Sequence, residues 1–368
     1  MCALRLVPLS RDLAGQRLAR SVTNVFGQVL LRAGTTLTAR YIDHLLGRGY
    51  GRVYVEDDIS ADISVQDALS LQAQTEAASA LRAVLLEGEA GNRRVAALER
   101  AVGHIVSELR TNAALATQIS AMRATAEYAF THAVNVCTHA LVMGHAVGMG
   151  QSDLAALGVG ALLQDIGSLR YAEIWNRPGP LHPEEYDQLK AHTTEGYEFV
   201  LNRFRGDLRA AHMAFQHHER LDGSGYPRGL RGGQVILFAR IGAVADTFDA
   251  LCSRRPHRAN LPPHVAMRLL KGMAGHQLDG ELVYRFAERT CVYPTGATVL
   301  LETGEVAIVA AQGGADAPWA RVRILTDPQH HLVTPFEVDL CPEAPERRVQ
   351  RVLPGLPAAV RQRLAQAS

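Results

Sequence analysis

From Ala114 to about Arg289 the apolar residues recur at helical spacing with few interruptions, and the side chains able to ligate a metal are threaded through the same stretch. A chain so patterned has to bury one face of each helix against its neighbours, so an all-helical bundle is expected there. Ser152 is expected to cap a helix from Leu154 to Ile166, with Gly167 where it stops. Pro183, followed by Glu184 and Glu185, is expected to open another helix that runs through Lys190 and His192.

The flanks read differently. Val22 to Leu31 around Gly27, a helix over Thr38 to Arg48 and a strand over Arg52 to Glu56 predict a small N-terminal α+β unit, residues 1–60. Residues 61–115 turn to Ala, Leu, Gln, Glu and Arg, predicting a linker of two helices broken around Gly88 to Asn92. There Val95, Leu98, Val102, Ile105 and Leu109 alternate by threes and fours, a seam that serves either packing on the same domain or a homodimer. The bundle is assigned to residues 116–290. The β-like runs Ala297 to Leu301, Val306 to Ala310 and Ala320 to Ile324, with a last strand at Phe336 to Leu340, predict a small β domain over 291–345. Residues 346–368 read as a tail with a short helix at Ala358 to Ala365. The expected fold class is α+β multidomain, a central helical bundle between a small N-terminal α+β unit and a small C-terminal β domain.

Composition narrows the partners. Of 368 residues, 47% are hydrophobic and 20% charged, the balance of a folded globular chain. The net charge of +1 is spread without a basic stripe, which argues against long nucleic acids and leaves room for a small anionic ligand. Five cysteines, with no CxxC pair, argue against a zinc ribbon or a disulfide framework and for a reducing, cytoplasmic setting. No apolar run reaches the roughly 18 residues of a membrane span.

The segment His217-His218-Glu219-Arg220-Leu221-Asp222-Gly223-Ser224-Gly225-Tyr226-Pro227 runs two imidazoles directly into a glycine-rich loop. His132, Asp165, His192 and Asp246 lie a helix or two away, a spacing from which side chains on several helices converge inside a bundle. Each alone has a plainer explanation: a helical histidine satisfied in the core, an aspartate at a helix end, a histidine favouring a helix dipole. Asp246 and Asp249 stand in an otherwise apolar run, where an unpaired carboxylate is costly to bury. Mixed His and carboxylate donors suit iron, manganese or zinc.

Together these positions resemble the HD-GYP family of HD-type metal phosphohydrolases, whose members typically hydrolyse the bacterial messenger cyclic di-GMP. The resemblance covers about Tyr128 to Phe286 and is strongest at His217 to Leu230, at Ile241 to Arg258, and at Pro178-Gly179-Pro180-Leu181 with Glu184-Glu185 and His192. It implies an HD-type bundle in which His132, Asp165, His192, His217, His218 and Asp246 are metal ligands, with two divalent ions, Fe or Mn with Zn also allowed, bridged by the catalytic Asp165. It further implies substrate contacts from Tyr226, Pro227 and Arg255. Two family positions are substituted: Gln164 stands for the histidine of the HD pair and Ser168 for the following lysine. His257 stands where tyrosine is usual. Two functions therefore remain open, a phosphodiesterase weakened by these losses and an inactive cyclic di-GMP receptor that signals through a partner protein.

Overall fold

The computed structural model describes residues 4–57, 60, 62–65, 67–86, 92–111, 117–118, 128–171, 173–174, 182–203, 207–253, 261–312, 319–341, 347–358, 360 and 363. At the N-terminus, strand β1 (Arg5–Pro8) pairs antiparallel with β4 (Arg52–Val55), and β2 (Val22–Thr23) with β3 (Val29–Leu31). Helix α1 (Ala39–Gly47) begins where the Thr38 hydroxyl accepts from the Tyr41 N–H, and it drops Ile42 and Leu45 onto Leu18, Val22, Val53 and Val55. This unit is the small α+β element expected.

Helices α2 (Leu71–Leu86) and α3 (Asn92–Thr111) run antiparallel. Glu108 near the end of α3 accepts from the Ser70 N–H, at 2.8 Å, and from its hydroxyl at the start of α2. The seam residues Leu98, Val102 and Ile105 are fully buried, and Val95 and Leu109 partly so, in the same core as the central bundle. The seam is thus occupied by the chain itself, and the segment expected as a linker packs as part of the bundle. The contact is close: a Cβ on Gly158 would lie 2.5 Å from Val102.

The bundle comprises α4 (Tyr128–Ala146), α5 (Gln151–Leu163), a 3-10 helix (Ile166–Tyr171), α6 (Pro183–Arg203), α7 (Leu208–Gln216), α8 (Leu237–Cys252), α9 (Pro263–Met273) and α10 (Gly280–Arg289). Two boundaries differ from expectation. Helix α5 starts earlier, because the Gly150 carbonyl already accepts from the Leu154 N–H, which places Ser152 inside the first turn rather than at the cap. It also ends earlier, at Leu163, after which the chain tightens through Gln164 and Asp165. Gly167 acts by its smallness rather than as a helix stop. A Cβ there would meet the His192 carbonyl oxygen at 2.2 Å, so only glycine lets this turn lie against α6.

The C-terminal region follows a short parallel pair, β5 (Thr117–Gln118) with β6 (Thr290–Cys291). Strands β7 (Thr298–Leu301), β8 (Val306–Ala311), β9 (Arg321–Thr326), β10 (Leu332–Asp339) and β11 (Val349–Val352) form one antiparallel sheet in the order β10-β9-β8-β7-β11. Alternate residues serve opposite faces: Val306, Ile308 and Ala310 pack on one, Ala307 and Val309 on the other. Two expectations are corrected here. The strand at Phe336 begins earlier, at Leu332, and is not the last, since β11 falls in the presumed tail. Ile63, assigned to the linker, joins the core of this sheet. The helix expected at Ala358 to Ala365 lies largely outside the described residues. The first strand touches this region as well, the Leu6 N–H donating to the Gly296 carbonyl at 3.1 Å.

Candidate metal centre

Four helices and one turn deliver the six candidate ligands to a single place. His132 comes from α4, Asp165 from the turn after α5, His192 from α6, His217 and His218 from the end of α7, and Asp246 from α8. Donor atoms of Asp165, His192, His217 and His218 lie within 4.8 Å of one another, as do those of His132, Asp165 and Asp246. Asp165 belongs to both groups. Its Oδ1 is 3.5 Å from His192 Nε2 and 3.4 Å from His217 Nε2, while its Oδ2 is 3.1 Å from His132 Nε2. His132 Nε2 is also 3.1 Å from Asp246 Oδ1, and His218 Nδ1 is 3.9 Å from Asp246 Oδ2.

The imidazoles are aimed from behind. His192 Nδ1 is held by the Leu189 carbonyl and His217 Nδ1 by the Ala214 and Met213 carbonyls, at 2.9 and 3.2 Å. Each ring is thus anchored through Nδ1 and turns Nε2 toward Asp165. Behind His132 stands Asp249, 2.7 Å from its Nδ1.

Electrostatics follow the same geometry. Burial would raise the Asp165 pKa, but hydrogen bonds from His132 and His217 hold it well below the ordinary carboxylate range. Asp246 is likewise lowered, burial being outweighed by His132 and His218. Burial pulls His192 below the usual imidazole value and His218 well below it, with His217 adding to the effect on His218. Burial also opposes charge on His132, yet Tyr128 and the carboxylates of Asp165, Asp246 and Asp249 outweigh it and raise its pKa well above the ordinary value. Ionised carboxylates beside neutral His192 and His218 are the donor states that a divalent cation requires.

The glycine-rich loop closes over this group. Tyr226 stacks on His218 with ring centroids 4.7 Å apart, and Pro227 follows it. Gly225 passes so close to the backbone of His218 to Arg220 that a Cβ would lie 2.4 Å from the Arg220 nitrogen. Sequence reasoning missed Glu219, which is buried and pins the loop by accepting from the Arg228 and Leu230 N–H groups at 2.8 and 2.9 Å. Its place directly after the two histidines was the available signal. Arg255, His257 and Pro178 to Leu181 lie outside the described residues.

At the substituted pair, Gln164 is buried. Neither its Oε1 nor its Nε2 has a hydrogen-bond partner among the described residues, and Oε1 faces Gly242, one turn before Asp246. Ser168 is buried too, its N–H bonded to the Asp165 carbonyl at 2.8 Å.

Comparison with known proteins identifies the domain that carries this group. An HD domain model matches residues 111–282. The chain is 31% identical over 213 residues to a cyclic di-GMP phosphodiesterase of Pseudomonas aeruginosa, covering 58% of this chain and 51% of that protein. It is 38% identical over 143 residues to a cyclic di-GMP phosphodiesterase of Thermotoga maritima, covering 38% of this chain and 39% of that one. Residues 111–282 are therefore an HD domain, similar in sequence to those of cyclic di-GMP phosphodiesterases. Another relative, 35% identical over 149 residues, is the 3'3'-cGAMP-specific phosphodiesterase 1 of Vibrio cholerae, covering 40% of this chain and 34% of that protein. A solved HDG"Y"P protein from Bdellovibrio bacteriovorus has the same fold, with a TM-score of 0.50 at 18% identity over 77% of this chain and 98% of that one. The chain spans about half the length of the first of these curated relatives, at 51%, and less of the next two. HD-domain phosphohydrolases depend on metals, and the His and Asp groups of this HD domain are able to hold one. Among the described residues no helix is long and apolar enough to cross a membrane.

Proposed function

We propose that the protein is a metal-dependent phosphodiesterase acting on cyclic di-GMP or a related cyclic dinucleotide. The observation that carries this reading is the sharing of Asp165 by two ligand groups, since a carboxylate has an oxygen for each of two ions. The substrate class comes from the relatives, named for cyclic di-GMP or for 3'3'-cGAMP. Mixed nitrogen and oxygen donors suit iron or manganese, with zinc also accommodated. Divalent ions held here supply a water of lowered pKa and positive charge opposite the phosphodiester oxygens.

The chain's own residues do the rest. His192, His217 and His218 hold one position with Asp165, and His132 and Asp246 the other. Tyr226 covers His218 and keeps bulk water from one side, with Pro227 shaping the loop beside it. Arg255 offers a planar guanidinium for two phosphate oxygens at once. A cyclic messenger made inside the cell fits a cytoplasmic enzyme.

One observation favours a second reading. At the position of the family's histidine the buried Gln164 amide offers only a neutral oxygen, and Ser168 cannot offset charge on a phosphoryl group. In that reading the protein binds the nucleotide without cleaving it and passes the signal to a partner protein. Incubation of the full chain with cyclic di-GMP and manganese or iron(II) separates the two. Product over hours supports the phosphodiesterase, and binding without turnover supports the receptor. Neither binding nor turnover of cyclic di-GMP and 3'3'-cGAMP overturns both.

A further inference from the structure

Helix α8 carries two carboxylates three residues apart, and the ring of His132 from α4 lies between them. Nε2 is 3.1 Å from Asp246 Oδ1, and Nδ1 is 2.7 Å from Asp249 Oδ2. A second neighbour of Nδ1, the Tyr128 hydroxyl, is farther at 3.4 Å. Asp249 is fully buried and fixed in turn. Its Oδ1 accepts from Asn135 Nδ2 at 3.0 Å, and its Oδ2 from the Ser253 hydroxyl at 3.1 Å. We infer that Asp249 is a positioning residue for the metal ligand His132, holding its ring so that Nε2 faces Asp165 and Asp246 as a donor. The inference rests on the two-ion reading above.

A neutral imidazole offers one lone pair, and the proton on the other nitrogen decides which. In the neutral ring that a cation would require, Nδ1–H donating to Asp249 leaves the lone pair on Nε2, on the side of the two acids. Without that acceptor the ring can carry its proton on Nε2 instead, where it would donate to Asp165 or Asp246 and face a cation with N–H. Carboxylate behind imidazole also makes the ligand more basic. The effect is concentrated at this position, because among the described residues His132 is the one imidazole in the group with Asp165 and Asp246. In the other group His192 and His217 are aimed by backbone carbonyls, which no substitution removes.

Cobalt(II) titration of the metal-free full chain, followed by its visible absorption and by calorimetry, tests the assignment without any turnover. The wild-type protein is expected to bind two equivalents. Asp249→Asn, which keeps the shape but not the charge, is expected to weaken the weaker equivalent by about 10- to 100-fold and to leave the tighter one unchanged. Asn135→Ala removes one support of Asp249 without touching either ligand group, so it is expected to weaken the same equivalent by less. If Asp249→Asn does not fold, Asn135→Ala decides alone. Unchanged binding in the variants overturns the inference, as does a matched loss of both equivalents, which marks a merely structural role. A wild-type chain that binds no cobalt overturns the two-ion reading itself, whereas unaltered variants beside a wild type that loads twice count against Asp249 alone.

Discussion

On one side of Asp165 stand three imidazoles, His192, His217 and His218, two of them aimed by main-chain carbonyls. On the other side stands, among the described residues, a single imidazole, His132, aimed by a side-chain network of Asp249, Asn135 and Ser253. The first arrangement is written into helix geometry and survives most substitutions around it. The second depends on several side chains at once, and on the proposed reading it is also the side that would lack an imidazole at Gln164. A centre built this way is expected to hold one ion firmly and the other loosely, and the difference between its halves locates the weakness of the molecule more closely than a count of ligands would.

The strongest way to break that contrast is at its shared member. Asp165→Ala removes an oxygen from both groups and is expected to lower turnover by on the order of a thousandfold, measured as linear dinucleotide or GMP released from cyclic di-GMP. Residual activity close to wild type would mean that Asp165 bridges nothing. The contrast is sharpened by repairing the poorer half. Gln164→His with Ser168→Lys is expected to raise turnover by about 10- to 100-fold and to tighten only the weaker metal equivalent, whereas an unchanged rate would place the limitation elsewhere.

Smaller effects follow in free energy. Loading the stronger half at a concentration about 100 times its dissociation constant is expected to stabilise the fold by about 2.7 kcal/mol, read as a shift in denaturant midpoint that a chelator reverses. Glu219→Gln weakens the clamp on the glycine-rich loop and is expected to cost about 1 to 3 kcal/mol in nucleotide affinity while metal content stays the same. Last, Gln164→Met replaces a buried amide lacking partners with a side chain of similar length. It is expected to stabilise the metal-free chain by about 1 kcal/mol, and a loss of stability would show that the amide is satisfied after all.

Much of this arrangement was legible in the sequence, for identifiable reasons. The bundle announced itself through helical periodicity, and the paired histidines before a glycine-rich loop marked the region where the ligands meet. What the residues could not show was which polar groups stand behind the ligands. Asp249 was visible as a second acid in an apolar run, but its role depends on α4 lying against α8, a long-range contact that local pattern does not encode. Glu219 stood in view beside the two histidines, but its role as a clamp depends on how the loop folds back to bring main-chain N–H groups about ten residues on to its carboxylate. The misplaced start of α5 reflects a glycine acting as cap where a serine two residues later looked more natural. The unexpected edge strand at Val349–Val352 arises because β7 offered an open side, a tertiary opportunity that a charged, proline-flanked segment gives little hint of.

The tight fit of Val102 into the gap at Gly158 reaches beyond packing. Gly158 lies five residues before the end of α5 at Leu163, about 7 Å along the helix, and Asp165 stands in the turn that follows. The pair of helices α2 and α3 therefore leans on the helix whose following turn carries Asp165. Anything that shifted that pair would have to move α5, unless the contact at Gly158 opened and left the turn with Asp165 where it is.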